Sequence, residues 1–576
     1  MSNITNKRIM PLRALSSLFR GKKVLQVLSL LLVIVLFLMP VYRLVILSFK
    51  SGDVFTLENY ANILQDDKTW SVITNTVIVV AGATVISVSI GILMAWVIAY
   101  TNIRAKKLMQ IFIVLPFVIP SYISTLAWTQ FFGSNGLYST LISFLPFSIE
   151  INLYSIGGII FVLGFSHYPL VYLLSLNVFR KIPTEAEHAS RVAGASGWQT
   201  FRKITLPLAL PGIASGGFLA FIANLDNFGI PAFLGIPAQI DVLSTYIYQQ
   251  IVGYGPSAFQ RAATFSVILG VIAFSGLLIQ WLLLKKSKRI ETTTEEKRPR
   301  VLLGGKWRIF IETILWGFFF LTSIVPLISM IMTSLLTAYG LDFTLENISL
   351  KNYQYILETS PKAKRAIGNS LQLALIITVT GIITGTGFAY YRVRKPNRWN
   401  RYSELAISLP YALPGTVMAL SMIFAWMEPL PGWNPGIYGS MMILFIAYFT
   451  RFLILQIRGS ITAVLQVDYT MEEAAAVSGS NGWTKWRKIL LPLMLPGILS
   501  GAFLVFLTAL TELTVSSLLW SSNSETIGVI IFSFEQAGYT TYSTAFSGII
   551  ICLILAGFLL LSGFQLLWNR KVANSN

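Results

Sequence analysis

Long apolar stretches alternate with short polar segments along the whole sequence. A helix needs about 20 consecutive apolar residues to cross the hydrocarbon core of a bilayer. Stretches that approach or exceed this length lie at residues 24–49, 72–100, 108–129, 155–177, 206–228, 262–284, 309–335, 366–390, 404–426, 438–456, 491–513 and 545–568. Transmembrane strands would be shorter and would alternate in polarity. The pattern therefore predicts an all-α polytopic membrane protein with about twelve transmembrane helices.

The predicted spans fall into two halves of six, because the most polar long segment, residues 285–308, lies between the sixth and the seventh. Short motifs recur at corresponding places in the two halves. They are "LENYANIL" (57–64) and "LKNYQYIL" (350–357), "LPFVIP" (115–120) and "LPYALP" (409–414), and "LPLALPG" (206–212) and "LPLMLPG" (491–497). Each half has an even number of spans, so the halves are parallel repeats, related by an axis along the membrane normal. Two such halves would enclose one pathway between them.

This repeat gives a predicted organisation for the whole chain. The segments are an N-terminal segment (1–23), a first half (24–284) with a polar loop at 184–212, a linker (285–308), a second half (309–568) with a polar loop at 470–497, and a tail (569–576). The first apolar stretch is too long for the core of a signal peptide and is followed by no small-residue cleavage site. We therefore expect it to be retained as a span.

Charge is concentrated in alternate connections between the spans. The chain has 43 Lys and Arg against 24 Asp and Glu, a formal net charge of +19, although only 12% of its residues are charged. Of the 43 basic residues, 35 lie in the two termini and in the five loops on the same side, and only five lie in the opposite loops. This bias is typical of cytoplasmic loops, so both termini are predicted to be cytoplasmic. The charge thus indicates topology, and no nucleic-acid partner is expected.

Two absences limit the chemistry that the sequence can support. Cys552 is the only cysteine and lies in the last span, which excludes a disulfide framework or a thiolate metal cluster. No G-x-x-x-x-G-K-[ST] phosphate loop occurs, and "LGGKW" (303–307) lacks both its spacing and its hydroxyl residue. We therefore expect no catalytic site, no metal site and no cofactor in this chain, and ATP hydrolysis only in a separate subunit.

The polar loops of the two halves, residues 184–212 and 470–497, share one design, and we call them the paired loops. Each opens with a T-x-x-E pattern, Thr184 with Glu187 and Thr470 with Glu473, which fits a capping box at a helix N-terminus. Small residues continue each helix to a glycine, the residue that best adopts the left-handed conformation after a helix. These glycines are Gly194 and Gly479.

A second helix is predicted after each of these glycines. It carries basic and aromatic residues that suit a membrane interface, namely Trp198, Phe201, Arg202 and Lys203, or Trp483, Trp486, Arg487 and Lys488. Two prolines follow in each copy and are expected to set where the next span begins. The expected product is a short helix, a bend and an interfacial helix, present twice, which a soluble partner with two matching grooves could grip.

Both paired loops resemble the EAA loop of binding-protein-dependent ABC importer permeases. The second copy reads Glu473-Ala474-Ala475 with Gly479, whereas His188-Ala189-Ser190 takes the E-A-A place before Gly194 in the first. In that family the loop docks on the ATPase subunits. The resemblance implies docking residues Glu187, His188, Ala189, Gly194, Glu472, Glu473, Ala474, Ala475 and Gly479. A purely structural role, in which Glu187 and Glu473 only cap their helices, stays open.

The same resemblance implies the fold and the partners. The fold would be that of a type I ABC importer permease with its two halves fused, in the bacterial cytoplasmic membrane. The partners would be two copies of an ABC ATPase subunit carrying ATP and Mg²⁺, an extracytoplasmic substrate-binding protein and membrane lipid. A secondary transporter driven by an ion gradient would need no docking loops, and a membrane scaffold that anchors a cytoplasmic complex would need no pathway between two repeats.

An acidic residue ends the fifth span of each half. Asp226, followed by Asn227, and Glu512 are candidates for the translocation pathway, since ionisable groups within spans are costly and usually functional. The alternative is that both carboxylates are solvated residues at the outer mouth. Arg43 in the first span is a possible counter-charge.

These stretches also resemble the ferric-iron branch of fused importer permeases. The relevant segments are "LDNFG" (225–229), "TYIY" (245–248) and "ELTVSS" (512–517). Relatives with the same architecture carry thiamine, aminoethylphosphonate, sugar phosphates or polyamines, so the cargo stays open among these classes. The sequence shows no cluster of iron ligands, and a packing role is expected for His167.

Overall fold

A computed structural model describes residues 27–573, apart from 52–53, 144–149, 254, 256–257, 286–295, 297, 430–431 and 433. The predicted segment 1–23, part of the linker 285–308 and the end of the tail 569–576 therefore lie outside the described residues. The segment boundaries given above remain predictions.

The first half is built almost entirely of helices. The α-helices are α1 (Met39–Ser48), α2 (Glu58–Leu64), α3 (Asp67–Tyr100), α4 (Lys106–Val118), α5 (Ser121–Phe132), α6 (Leu137–Ile142), α7 (Ile156–Phe179), α8 (Thr184–Val192), α9 (Gly197–Thr200), α10 (Leu206–Asp226), α11 (Gly229–Leu234), α12 (Leu243–Gly253) and α13 (Ala258–Lys285). Turns of π-helix occupy Ile34–Leu38 and Phe201–Thr205, and the strands Lys50–Ser51 and Val54–Phe55 pair antiparallel.

The second half repeats this order. Its α-helices are α14 (Gly305–Phe319), α15 (Val325–Ser334), α16 (Lys351–Gln354), α17 (Pro361–Arg394), α18 (Arg398–Ala412), α19 (Gly415–Trp426), α20 (Met441–Gln466), α21 (Tyr469–Val477), α22 (Gly482–Lys485), α23 (Leu491–Leu510), α24 (Ser516–Leu519), α25 (Ile527–Gln536) and α26 (Thr540–Ala573). Turns of π-helix occupy Phe320–Ile324, Tyr355–Thr359 and Trp486–Leu490.

The described residues include ten helices long and apolar enough to cross a membrane, and two bent helix pairs bring the number to as many as twelve. The predicted all-α polytopic fold is confirmed. The apolar side chains that remain exposed on these helices would face lipid, whereas the small and aromatic side chains between helices are buried.

The predicted spans at 108–129 and 404–426 are wrong as continuous helices. α4 and α5 meet at an angle of 100°, and α18 and α19 at 110°. Pro120 and Pro414 stand at these breaks, and the residues before them have the extended backbone that a following proline favours. Proline also lacks the N–H that would continue the helix. The repeated "LPFVIP" and "LPYALP" motifs therefore create two half-helices, α5 and α19, that begin inside the protein.

Each half has a tightly packed centre of three helices, α3, α7 and α10 in the first half and α17, α20 and α23 in the second. Close approach depends on small residues, as is usual between membrane helices. A Cβ built on Gly459 of α20 would lie 2.9 Å from the Cα atom of Gly501 in α23, so these two backbones touch.

The first span of each half packs against the other half. α1 lies against α19, and α15 lies against α5. Arg43 of α1 donates from Nη1 to the carbonyl oxygens of Phe424 (3.1 Å) and Ala425 (3.3 Å), near the C-terminal end of α19. A cation there complements the helix dipole. The expectation that Arg43 could neutralise one of the two acidic residues is therefore wrong.

Candidate functional site

The short helices of the paired loops are α8 and α21, nine residues each. Both end at the predicted glycine, since Gly194 has φ +87° and Gly479 has φ +75°. The N–H of the residue after each glycine bonds back to a carbonyl oxygen, Ala195 to Ser190 at 3.1 Å and Ser480 to Ala475 at 3.0 Å. The left-handed helix ends that the sequence predicts are confirmed.

The predicted capping boxes are wrong. α8 follows Pro183 and has no side-chain cap, while α21 follows Asp468, whose carboxylate accepts from the Thr470 N–H at 3.0 Å. That backbone hydrogen bond holds the pKa of Asp468 below its ordinary value. Glu187 does not reach the helix start because its carboxylate is bound elsewhere, and Glu473 is exposed.

Glu187 is buried at the centre of a hydrogen-bonded cluster in the first half. Its Oε1 accepts from the hydroxyls of Tyr100 (2.7 Å) and Thr205 (2.5 Å), and its Oε2 accepts from Arg300 Nη1 (3.1 Å). Arg300 also donates to the carbonyl oxygen of Ile182 at 2.5 Å. These bonds fix α8 to the end of the long helix α3 and to the chain that enters the second half.

Arg300 belongs to the predicted linker, and its neighbours hold it against the first half. The backbone N–H groups of Arg300 and Val301 both donate to the Tyr100 carbonyl oxygen, at 2.8 and 2.9 Å. The Leu303 N–H donates to Asn102 Oδ1 at 2.9 Å. The described end of the linker therefore lies along the first paired loop.

Glu472 forms the corresponding cluster in the second half. Its carboxylate accepts from Arg394 Nε (2.7 Å), the Tyr390 hydroxyl (2.8 Å) and Lys485 Nζ (3.0 Å). Burial alone would raise the pKa of Glu472, but the hydrogen bonds from Tyr390, Lys485 and Arg394 outweigh it and hold the pKa below its ordinary value. Here the arginine comes from the half itself, whereas in the first half it comes from the linker.

The opposite side of each short helix is exposed. His188 and Ala189 in the first loop, and Glu473 and Ala474 in the second, lie on this side, whereas Ala475 is buried. The exposed face also holds one valine in each loop, which the reasoning from sequence did not single out. These are Val192 (89% exposed) and Val477 (90% exposed), at corresponding positions. A duplicated exposed valine in two polar loops could have been found from the repeat alone.

The expected bend lies between the two helices of each paired loop, at Gly194 and Gly479, and the second helix then runs into the next span without a break. Gly197–Asp226 and Gly482–Leu510 are each continuous. Pro207 and Pro492 have no N–H to donate, and a π-turn just before each of them keeps the helix continuous. In these turns the Leu206 N–H donates to the Phe201 carbonyl oxygen, and the Leu491 N–H donates to the Trp486 carbonyl oxygen. One helix of roughly 45 Å therefore runs from the first loop to Asp226.

Asp226 lies where the two halves meet, at what we call the seam. Arg451 Nη2 donates to its Oδ2 at 2.6 Å, and the Gly415 N–H at the start of α19 donates to its Oδ1. Both partners belong to the second half. Arg451 lies within the predicted span 438–456, and the helix that contains it, α20, extends beyond that span to Gln466.

Glu512 also lies at the seam but is held differently. Its Oε1 and Oε2 accept from the N–H groups of Val515 (2.7 Å) and Ser516 (2.9 Å), which begin the short helix α24. The residue is buried, so it is not a solvated mouth residue. Asn227 has a local role, since its Oδ1 accepts from the Ile230 N–H at 2.9 Å.

An aromatic plug lies beside the seam, formed by Phe228, Phe233, Tyr248 and Phe532. The Phe532 ring of the second half lies 5.5 to 6.0 Å from the other three rings, all of which belong to the first half. Rings at these distances gain from edge contacts in addition to burial. The plug closes the space between α11, α12 and α25.

His167 contributes to packing near Asp226. Its Nδ1 lies 2.7 Å from Asn224 Oδ1 and 3.1 Å from the Leu163 carbonyl oxygen, which agrees with the expected structural role. Throughout the part of the chain that the structure describes, no group of three or more His, Cys, Asp or Glu could hold a metal ion.

Comparison with known proteins agrees with this duplicated architecture. The family described as "Binding-protein-dependent transport system inner membrane component" matches twice, at residues 87–289 and 377–574, once in each half. The chain belongs to this family. It is therefore a multi-pass ABC importer permease of the fused two-half type, a transport component that works with a binding protein.

Two relatives match most of this permease. A putative ferric transport system permease protein, FbpB 1, of Haemophilus influenzae is 26% identical over 86% of this chain and 77% of its own length. The ferric transport system permease protein FbpB of Actinobacillus pleuropneumoniae is 26% identical over 92% of this chain and 76% of its own length. Permeases of sulfate and maltodextrin transport systems also match, each over 36% of this chain.

One solved structure that matches part of this permease is a bacterial alginate ABC transporter in complex with an alginate pentasaccharide-bound periplasmic protein. Its matching chain is 21% identical, with a TM-score of 0.39, and the match covers 49% of this permease and 98% of that chain.

Proposed function

We propose that this permease imports ferric iron, which an extracytoplasmic binding protein delivers and which two copies of an ATPase drive across the membrane. ATP and Mg²⁺ would bind to those subunits, and the permease itself would hold no cofactor. The main support for ATPase docking is the short helix that occurs in both paired loops. In each copy a buried glutamate fixes this helix to the permease, and an exposed valine lies on its opposite side.

The helical connections support a mechanical role for the paired loops. α8 and α21 are fixed to the ends of α3 and α17 by the Glu187 and Glu472 clusters. Each second loop helix continues without a break into the span that leads to the seam. A displacement of the loops by the ATPases would therefore move these spans as rigid rods and separate the halves at the seam, as alternating access requires.

Two observations support a cationic cargo. The ferric permeases named above match this chain over most of its length. The seam also contains two carboxylates, Asp226 and Glu512, against one guanidinium, Arg451. Such an excess of acidic groups within a membrane favours a positively charged solute over a negatively charged one.

Sulfate is a second candidate, because Arg451 is a buried cation on the pathway and sulfate permeases match part of the chain. The Asp226 carboxylate already pairs with that guanidinium, so a divalent anion would first have to displace it. Ferric iron therefore fits the seam better than sulfate.

Uptake of radiolabelled ferric iron and of radiolabelled sulfate, by cells with and without the gene, tests the cargo. We expect an energy-dependent ferric component that disappears on deletion and returns on complementation, with sulfate uptake unchanged. The opposite result would assign an anionic cargo.

ATP hydrolysis that cargo-loaded binding protein stimulates, measured on the reconstituted complex, tests the importer against the other classes. A gradient-driven transporter or a scaffold would show no such stimulation. The variant Glu473→Lys reverses the charge of an exposed loop residue, so we expect it to insert normally but to lose most of the stimulation.

A further inference from the structure

The ion pair at the seam is placed where the cargo must pass. Asp226 belongs to the first half, whereas the groups that bind its two carboxylate oxygens, Arg451 and Gly415, belong to the second. Arg451 lies about 15 Å along α20 from its Met441 end, which is near the middle of a span. Transport sites typically lie near this depth, at the interface between repeats and beside broken helices.

Negative groups outnumber positive ones at this place. The Arg451 side chain is 5% exposed and pairs with the Asp226 carboxylate, while Thr514, two residues after Glu512, packs beside Gly415 together with Arg451. Among the described residues, no cation other than Arg451 is paired with either carboxylate. Asp226 is 30% exposed, so its carboxylate can be reached while the guanidinium is buried.

A buried hydroxyl without a partner points to the same place. Tyr122, in the first turn of α5, is 2% exposed, and its hydroxyl has no hydrogen-bond partner within the described part of the chain. It packs beside Gly229, three residues after Asp226. Tyr448, one turn before Arg451 in α20, is also buried, and its hydroxyl likewise has no hydrogen-bond partner among the described residues. A buried hydroxyl left unpaired costs free energy, so its retention here suggests a ligand.

Carboxylate and phenol oxygens are hard donors, the type that hard metal cations prefer over nitrogen and sulfur. We propose that Asp226, Glu512, Tyr122 and Tyr448 form a transit site for a hard multivalent cation, and that Arg451 is a tethered cation that fills this site until the cargo replaces it. The inference rests on the cationic cargo proposed above and adds the place where that cargo is held.

The division of the site between the halves explains how it would release its cargo. When the halves separate, Asp226 moves with the first half, and Arg451 and Glu512 move with the second. A cation that is held between the two carboxylates loses one of them when the halves move apart. It is therefore released and not trapped. When Arg451 returns to Asp226, these two charges neutralise each other, and the Glu512 carboxylate stays bound by the N–H groups of Val515 and Ser516.

Binding of Tb³⁺, a hard trivalent cation excited through nearby tyrosines, tests the site on the full-length permease in lipid nanodiscs. We expect Asp226→Asn and Glu512→Gln to weaken Tb³⁺ binding at least tenfold. We expect Arg451→Gln to strengthen it about tenfold, because a positive charge next to the carboxylates is removed. Arg458→Gln is the matched control, since Arg458 lies in the same helix but is 65% exposed. The Tb³⁺ affinity of this variant should equal that of the wild type.

Equal Tb³⁺ affinities in the wild type and in a folded Glu512→Gln variant would overturn the proposal, even if Arg451→Gln fails to fold. If ferric uptake depends on the gene but these Tb³⁺ affinities are equal, the seam site is rejected and the proposed function stands. The expected Tb³⁺ changes without ferric uptake would support the site and reject ferric iron as the cargo.

Discussion

Two neighbouring glutamates in the second paired loop have different surroundings. Successive residues of a helix point about 100° apart, so Glu472 turns inward to Tyr390, Arg394 and Lys485, whereas Glu473 faces outward. The family resemblance draws attention to Glu473, but the structure shows that Glu472 holds the helix in place. The residue proposed for docking and the residue that positions the helix are therefore adjacent in the sequence.

We expect Glu472→Gln to destabilise the permease by about 2 kcal/mol at pH 7, because three donors lose a charged acceptor. The folded-state pKa of Glu472 is lowered, so this stabilisation is fully present above the ordinary carboxyl pKa of about 4.3. It is lost as the pH falls through the lower folded value. Thermal unfolding in detergent should therefore separate wild type and variant at pH 7, and the difference should shrink at acidic pH below the ordinary carboxyl pKa.

The matched control is Glu473→Gln, which removes the same charge from the exposed side of the same helix. It should unfold like the wild type at both pH values. Equal destabilisation by the two variants would contradict the different positions of the two side chains.

At the scale of the helix, the second paired loop depends on the left-handed Gly479. A Cβ there would meet no atom within 4 Å, so any cost of adding one comes from the backbone conformation alone. The loop helix α21 ends at this residue and turns into α22, which continues into the span. The angle between the docking helix and the span is therefore set at one residue.

We expect Gly479→Ala to cost about 1 kcal/mol and to reduce cargo-stimulated ATP hydrolysis several-fold, because a left-handed backbone strains an alanine. Gly482→Ala is the control, since Gly482 also has open space around it but does not have a positive φ. Hydrolysis by the purified complex measures the effect. Equal rates in the two variants would show that this helix angle does not matter for coupling.

The contact between α20 and α23 leads to a second prediction at this scale. Gly459→Leu should destabilise the permease by about 1–3 kcal/mol or more, because its side chain would meet the backbone of Gly501. Gly387→Leu in α17 should be tolerated, since no atom lies within 4 Å of the added Cβ. Unfolding temperatures of the two variants in detergent provide the comparison, and similar values would contradict the close packing.

Local features of the sequence predicted local structure well. The apolar stretches, the duplicated halves and the two left-handed glycines depend on short segments, and the structure agrees with them. The breaks at Pro120 and Pro414 follow equally local rules but were hidden within apolar stretches. Arg300 and Arg451 could not be assigned from sequence, because their carboxylate partners lie far away in the chain and are chosen by tertiary packing.

At the scale of the whole molecule, the two halves hold each other through exchanged spans. α1 packs on α19 and α15 packs on α5, while the Asp226–Arg451 pair joins the halves at the seam. Either half alone would expose these surfaces to lipid and leave a charge at the seam without its partner. The two halves should therefore be stable only together.

We expect a chain cut within residues 286–295 to reassemble when both fragments are expressed in one cell. The two fragments should purify together and restore uptake, because the contacts between the halves do not require a covalent connection. Each fragment expressed alone should be degraded. A stable, monodisperse fragment from one half would contradict the mutual dependence of the halves.

The exchange of first spans also matters for how the protein is made. The segment Val27–Ser48 enters the membrane early in translation, but its partner α19 is synthesised several hundred residues later. At ordinary rates of synthesis, this delay is on the order of tens of seconds. During that time Arg43 has no helix end to bind, and the first span must wait in the lipid beside the ribosome and the insertion machinery. A substitution in this span could therefore lower the yield of the protein without changing the stability of the folded protein. It would do so by making the span more prone to degradation before α19 is synthesised.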